Sequence, residues 1–183
     1  MPNVVLVVDM VRGFLEPGHG GEKHNLYCGD AARDIIPNVR RLIEGETAHG
    51  GHVIFLCDNH APDDKEFETF PPHCIRGSIE AEVVPELADL ATEVIPKTRY
   101  SAFFGTPLRD RLRALAPEKV IVCGVCTDIC VMHTAADARN RDYAVEVFAD
   151  CVATFDEEAH RFALRHMEKI LGVRVVAAVQ KRT

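Results

Sequence analysis

The chain has 183 residues, 47% of them hydrophobic, with a net charge of −7 and a pI near 5.7. That size suits one compact domain with a real core, expected over residues 1–183, and the acidic balance speaks against a phosphate-backbone partner. No apolar run approaches the roughly 20 residues needed to cross a bilayer, so no membrane association is expected.

The first element is the run VVLVV at 4–8, preceded by no basic segment and closed by an acidic residue. It reads as a buried strand rather than a signal peptide, and with seven cysteines it points to a cytoplasmic, reducing setting without disulfides. A helix-like stretch follows at 30–46, then a strand at 52–57. Residues 61–80 are polar, rich in Pro and Phe, and too long for a plain connection, so a functional loop is expected there. Further strands are expected at 93–96, 119–124, 144–148 and 173–178, and helices at 107–115, 127–139 and 156–171. Strands apolar throughout, alternating with helices, predict an α/β fold: a parallel six-stranded sheet with right-handed crossovers and helices on both faces, in three α-β-α layers.

In an open parallel sheet, ligands sit beyond the carboxyl ends of the strands. Those ends carry Asp9, then Asp58 and His60, then Lys97, then a cysteine-rich stretch, then Asp150 and Cys151. The cysteine-rich stretch, VCGVCTDICV at 122–131, offers three readings: a metal cluster, which would need several thiolates converging from flexible loops, a redox pair, or a nucleophile with two bystanders. Cys123 lies inside an apolar run and reads as a buried side chain. Cys123 and Cys126 form a C-x-x-C, but it straddles a strand end and a glycine turn rather than opening a helix. Cys130 falls in the expected first turn of the helix at 127–139, with Thr127 as its N-cap. Free amides and the helix dipole there favour a thiolate and can hold an oxyanion. His133, one turn on, could take the thiol proton but reads as readily as a surface histidine. Asp9 and Lys97 at neighbouring strand ends are the stronger candidates.

The segment CDNHAPDDKEFETFPPHC holds Asp58-x-His60 and then His73, a carboxylate and two imidazoles suited to Zn²⁺, Fe²⁺ or Mn²⁺. Glu66, Asp63 or Glu68 could add a fourth ligand. Spacing alone leaves a solvated acidic loop equally open. His19, His24, His49, His52, His160 and His166 show no such grouping and read as surface residues.

Five blocks, in order, carry a resemblance: VVDMVRGF (7–14), CDNHAP (57–62), FPPHCIRGS (70–78), KTRYSAFFGTPL (97–108) and GVCTDICVMHTAADA (124–138). Together they resemble the isochorismatase-like cysteine hydrolases, specifically the nicotinamidase/pyrazinamidase branch. The resemblance implies Cys130 as nucleophile, Asp9 as general base and acid, and Lys97 holding both and lowering the thiol pKa. It implies an oxyanion hole from the amides of Cys126 and Cys130, with a cis peptide between Val125 and Cys126. One divalent ion, Zn²⁺ first among the candidates, would be held by Asp58, His60 and His73, with Glu66 matching a ligand position of some members. Phe14, Phe70 and Tyr100 match positions lining a ring pocket for a small amide such as nicotinamide or pyrazinamide, and a homodimer or larger homo-oligomer is implied. Val11, Arg12, Gly13, Asn59 and Cys126 depart from the residues common at their positions, which bears on pocket shape and preferred amide. Another amidase of the superfamily, a non-catalytic homologue, or a redox sensor built on Cys123 and Cys126 are the alternatives.

Overall fold

The computed structural model describes residues 1–18 and 26–179; His19 and His24 lie outside them. In chain order the strands are β1 (Val4–Val8), β2 (His52–Asp58), β3 (Val94–Lys97), β4 (Val120–Val125), β5 (Val145–Ala153) and β6 (Arg174–Val176). They form one sheet in the order β3–β2–β1–β4–β5–β6, with every pairing parallel. The chain reverses winding direction beside β1, and the carboxyl ends of β1, β2, β3 and β4 converge there.

The side-chain alternation of the strands builds two cores. With the single turn Arg12–Leu15 taken as α1, on one face Val5, Val7, Phe55 and Ile121 pack against Ala32 of α2 (Asp30–Asp34) and Val39, Leu42 and Ile43 of α3 (Ile36–Ala48). On the other, Val4, Leu6, Ile54 and Val122 meet α4 (Leu108–Leu115), α5 (Met132–Arg139) and α6 (Glu157–Lys169) through Leu112, Ala135 and Met167. Every residue of β1 is buried, which is why it carries no polar side chain.

The structure departs from the sequence-based expectations in five places. The helix expected at 30–46 is two helices, because Pro37 has no N–H to continue α2 and instead opens α3. A single turn at Arg12–Leu15, not anticipated, is seated by Arg12 N–H on the Glu82 carbonyl at 2.8 Å. β5 runs five residues past its expected end at 148. Asp150 therefore lies within the strand, where its carboxylate accepts from Val179 N–H at 3.1 and 3.2 Å, a structural contact rather than a strand-end site. The first turn expected at 127–131 is π-helical, with Val131 N–H reaching the Cys126 carbonyl at 3.2 Å. Finally, Thr127 does not cap that turn; its hydroxyl pairs with Nδ1 of the half-buried His160 at 2.9 Å, so His160 is no plain surface residue.

Gly124 sets the spacing between β1 and β4 where the site lies. Its φ is +110°, and an added Cβ would sit 2.0 Å from the Val8 carbonyl oxygen. That neighbour is backbone within a sheet and cannot turn aside. Gly124→Ala should therefore cost roughly 3 kcal/mol or more of folding stability. Urea unfolding followed by circular dichroism would measure it, and an unchanged midpoint would contradict the close approach.

Candidate active site

Register explains the heart of the site. Asp58 and Lys97 are Cα partners across β2 and β3, so their side chains leave the sheet on the same side. Lys97 Nζ donates to Asp58 Oδ1 at 2.6 Å and lies 2.7 Å from Asp9 Oδ2. Asp9 follows β1 directly, in a left-handed turn at φ 50°, and its Oδ1 accepts the Asp58 amide at 2.8 Å. The Cys130 Sγ completes the group, 3.5 Å from Lys97 Nζ. Asp9, Lys97 and Cys130 are thus brought together, and His133 is exposed, its Nδ1 against the Ile129 carbonyl.

These charges are removed from water and set one another's protonation. Burial, then the Asp58 charge, push the Asp9 carboxyl up to about 6 against the opposing pull of Lys97. Burial pushes Asp58 up too, but the Lys97 ammonium and the two imidazoles outweigh it and hold it well below the usual carboxylate range. Burial works against the Lys97 charge, yet Asp58 and Asp9 outweigh it and keep the amine protonated. Burial raises the Cys130 thiol well above its ordinary value, with Lys97 pulling down and Asp9 and Asp58 pushing up. Lys97 opposes the proton on Cys130, as expected of it, but burial and the two carboxylates outweigh that pull.

Asp58, His60, Glu66 and His73 form a second group whose donor atoms lie within 4.8 Å of one another. His60 Nε2 is 3.6 Å, and His73 Nε2 3.8 Å, from Asp58 Oδ2; Glu66 Oε1 is 3.8 Å from His73 Nε2. Each imidazole is tied behind by Nδ1, His60 to Asp64 at 3.1 Å and His73 to the Pro71 carbonyl at 2.8 Å. That fixes which nitrogen faces inward, as the outer shell of a metal site does. His60 Nε2 is buried with no hydrogen-bond partner among the described residues. Burial disfavours charge on His60, but Asp58, Asp64 and Glu66 outweigh it, so the spot favours a cation. The donor set fits a divalent metal. Asp63 and Glu68, the other spacing-based candidates, are exposed.

Both groups border one cavity of ≈ 310 Å³, lined by Asp9, Asp58, Glu66, His73, Cys126 and Cys130 among polar groups and by Phe14, Phe70 and Tyr100 among rings. The Val125–Cys126 peptide at its wall is cis. In the turn above, the amides of Ile129 and Val131 both serve the Cys126 carbonyl at 3.1 and 3.2 Å, leaving the Cys130 amide between them off that acceptor.

A family model, the Isochorismatase domain, matches residues 3–179. The chain belongs to the isochorismatase family. Among similar solved structures, nicotinamidase PncA of Bacillus subtilis superposes with a TM-score of 0.88 at 34% identity, covering 96% of this chain and 99% of that one. N-carbamoylsarcosine amidase of Thermoplasma acidophilum follows at 0.85 and 32%, covering all of both chains. The pyrazinamidase of Pyrococcus horikoshii, solved with zinc, gives 0.83 at 30%, covering 96% and 99%.

Within the isochorismatase family frame, most of the sequence departures do not line the cavity. Val11 bridges to Val83, Arg12 pairs with Glu16, and Gly13 packs on Glu80 and Cys74. Asn59 accepts from Arg76 Nε at 3.1 Å. Of these, Cys126 lines the wall, beside Val125 and together with residues the sequence reading missed: Leu26, Tyr27, Cys28, Ile129 and Phe155. Phe67 was missed as well; its ring centroid lies 5.4 Å from each of His60 and His73. Its place in the loop 61–80 was the available signal.

Proposed function

We propose that this chain is a cysteine-dependent amidohydrolase that converts nicotinamide to nicotinate and ammonia, with pyrazinamide accepted by the same pocket. The observation that carries the reading is a thiol, an ammonium and a carboxylate in mutual contact beside a small ring-lined cavity. A volume of ≈ 310 Å³ lies at the small end of ligand sites, which run from about 300 to 1,000 Å³ and so favours a single-ring substrate.

The charges dictate the order of proton movements. Asp9 is a carboxylate at neutral pH and Cys130 a neutral thiol, so the proton passes from Cys130 to Asp9 as sulfur bonds to the carboxamide carbon. Lys97 keeps Asp9 in place and opposes the thiol proton throughout. The amides of Cys126 and Cys130 would receive the oxyanion. Asp9 then gives its proton to the departing ammonia, leaving a thioester on Cys130. Water, deprotonated by Asp9, releases the acid and restores the thiol. Proton transfer and oxyanion binding would each contribute roughly 10²–10³-fold. A divalent ion held by Asp58, His60, His73 and Glu66 would supply a Lewis acid for the ring nitrogen, and Zn²⁺, Fe²⁺ and Mn²⁺ all suit that donor set.

Ammonia release across a panel of amides, with and without chelator, tests the reading. Nicotinamide should exceed aliphatic amides and N-carbamoyl amino acids by about tenfold or more in kcat/KM. Chelator should remove most of that turnover and added Zn²⁺ restore it. A preference for N-carbamoyl substrates would favour instead the chemistry of the Thermoplasma relative, which matches this chain end to end.

A further inference from the structure

Two thiols in the cavity wall take no part in the hydrolytic group. Cys28, just ahead of α2, and Cys126, just past β4, are 98 residues apart in sequence, yet their sulfurs lie 3.4 Å from each other. Both line the cavity, and Cys126 is partly exposed, so a small oxidant has a path to them. The Cys28 S–H donates to the Leu26 carbonyl at 3.5 Å. Between the two sulfurs either thiol can be the donor. Cys123, the other half of the C-x-x-C, is fully buried and donates to the Leu6 carbonyl at 3.7 Å, which removes it as a partner.

We propose that Cys28 and Cys126 form a reversible intramolecular disulfide in the wall of the substrate cavity, closed by a hydroperoxide and reopened by a thiol reductant. The Cys126 sulfur attacks a peroxide oxygen; the O–O bond breaks, the alcohol or water leaves with the thiol proton, and Cys126 becomes a sulfenic acid. The Cys28 sulfur then displaces the sulfenic hydroxyl; the S–O bond breaks as the S–S bond forms, and the hydroxyl leaves as water with the Cys28 proton. Two thiols lose two electrons in all, and one peroxide gains them. Closure asks the sulfurs to approach by roughly 1.4 Å. Cys28 lies outside regular secondary structure, so side-chain rotation with a small backbone shift can supply this. The Cys126 carbonyl anchors the turn that carries Cys130, so the same shift reaches the nucleophile.

The test uses the full zinc-loaded chain carrying Cys130→Ala, so that the nucleophile does not consume oxidant. After hydrogen peroxide, free thiols are alkylated and the chain is mapped by mass spectrometry. Residues 120–139 form one tryptic peptide containing positions 123, 126 and 130, so fragment ions must place the link. The expected result is loss of the Cys28 and Cys126 thiols alone, one peptide pair joined between them, reversal by dithiothreitol, and no joined pair in Cys28→Ser or Cys126→Ala. A link from Cys126 to Cys123, a link between two chains, or Cys126 oxidised to sulfinic acid with Cys28 still free would overturn the proposal.

Discussion

Cys130→Ala is expected to lower amide turnover by about 10⁴-fold or more, because on the proposed mechanism it removes the nucleophile that acts in concert with its base, and the covalent route with it. The substitution deletes one sulfur at a nearly buried position and leaves Asp9, Lys97 and Asp58 to satisfy one another. The thermal midpoint and the binding of divalent metal should therefore stay close to those of the unaltered chain. Single-turnover ammonia release, read beside a melting curve and a metal titration, checks all three. Residual turnover near the original rate would mean that water attacks the amide directly, and the thiol mechanism would have to be abandoned.

Lys97→Met should damage stability as well as activity. The ammonium is fully buried between two carboxylates, at 2.7 Å from Asp9 and 2.6 Å from Asp58. Methionine fills similar space without charge, so two buried anions would lose their common counter-ion. Breaking such a group costs about 3–5 kcal/mol. For a chain of 183 residues that is a fall in Tm of roughly 6–20 °C. Turnover should also fall, because Asp9 loses the contact that aims it and the thiol loses the nearest positive charge. Differential scanning calorimetry and ammonia release on the same preparation would separate the effects. A variant as stable as the parent would show that Lys97 contributes no net pairing energy there.

How much of this was legible beforehand depended on the range of the interaction. The strands announced themselves as apolar runs, and the rule about strand ends in parallel sheets was enough to bring Asp9, Asp58, Lys97 and the stretch around Cys130 to one edge. Local patterns failed where distant contacts decide. Thr127 looks like a cap until α6 presents His160 to it. Asp150 looks like the end of a strand until Val179 arrives to bind it. The Asp64 contact with His60 depends on how the loop after β2 folds back, and the approach of Cys28 to Cys126 depends on the whole sheet lying between them. The extent to which burial raises the Cys130 thiol is likewise a property of the packed core and not of the helix start alone.

The position of β3 has a consequence for how this chain would fail. It is four residues long, lies at the rim of the sheet, and ends on the lysine. Rim strands open more readily than central ones, in excursions far smaller than global unfolding. Each such excursion would carry the amine away from Asp9 while the interior strands stay closed. Mild heat or denaturant would therefore silence the chemistry well before the far-ultraviolet spectrum changes, making activity a more sensitive gauge of the rim than of the molecule as a whole.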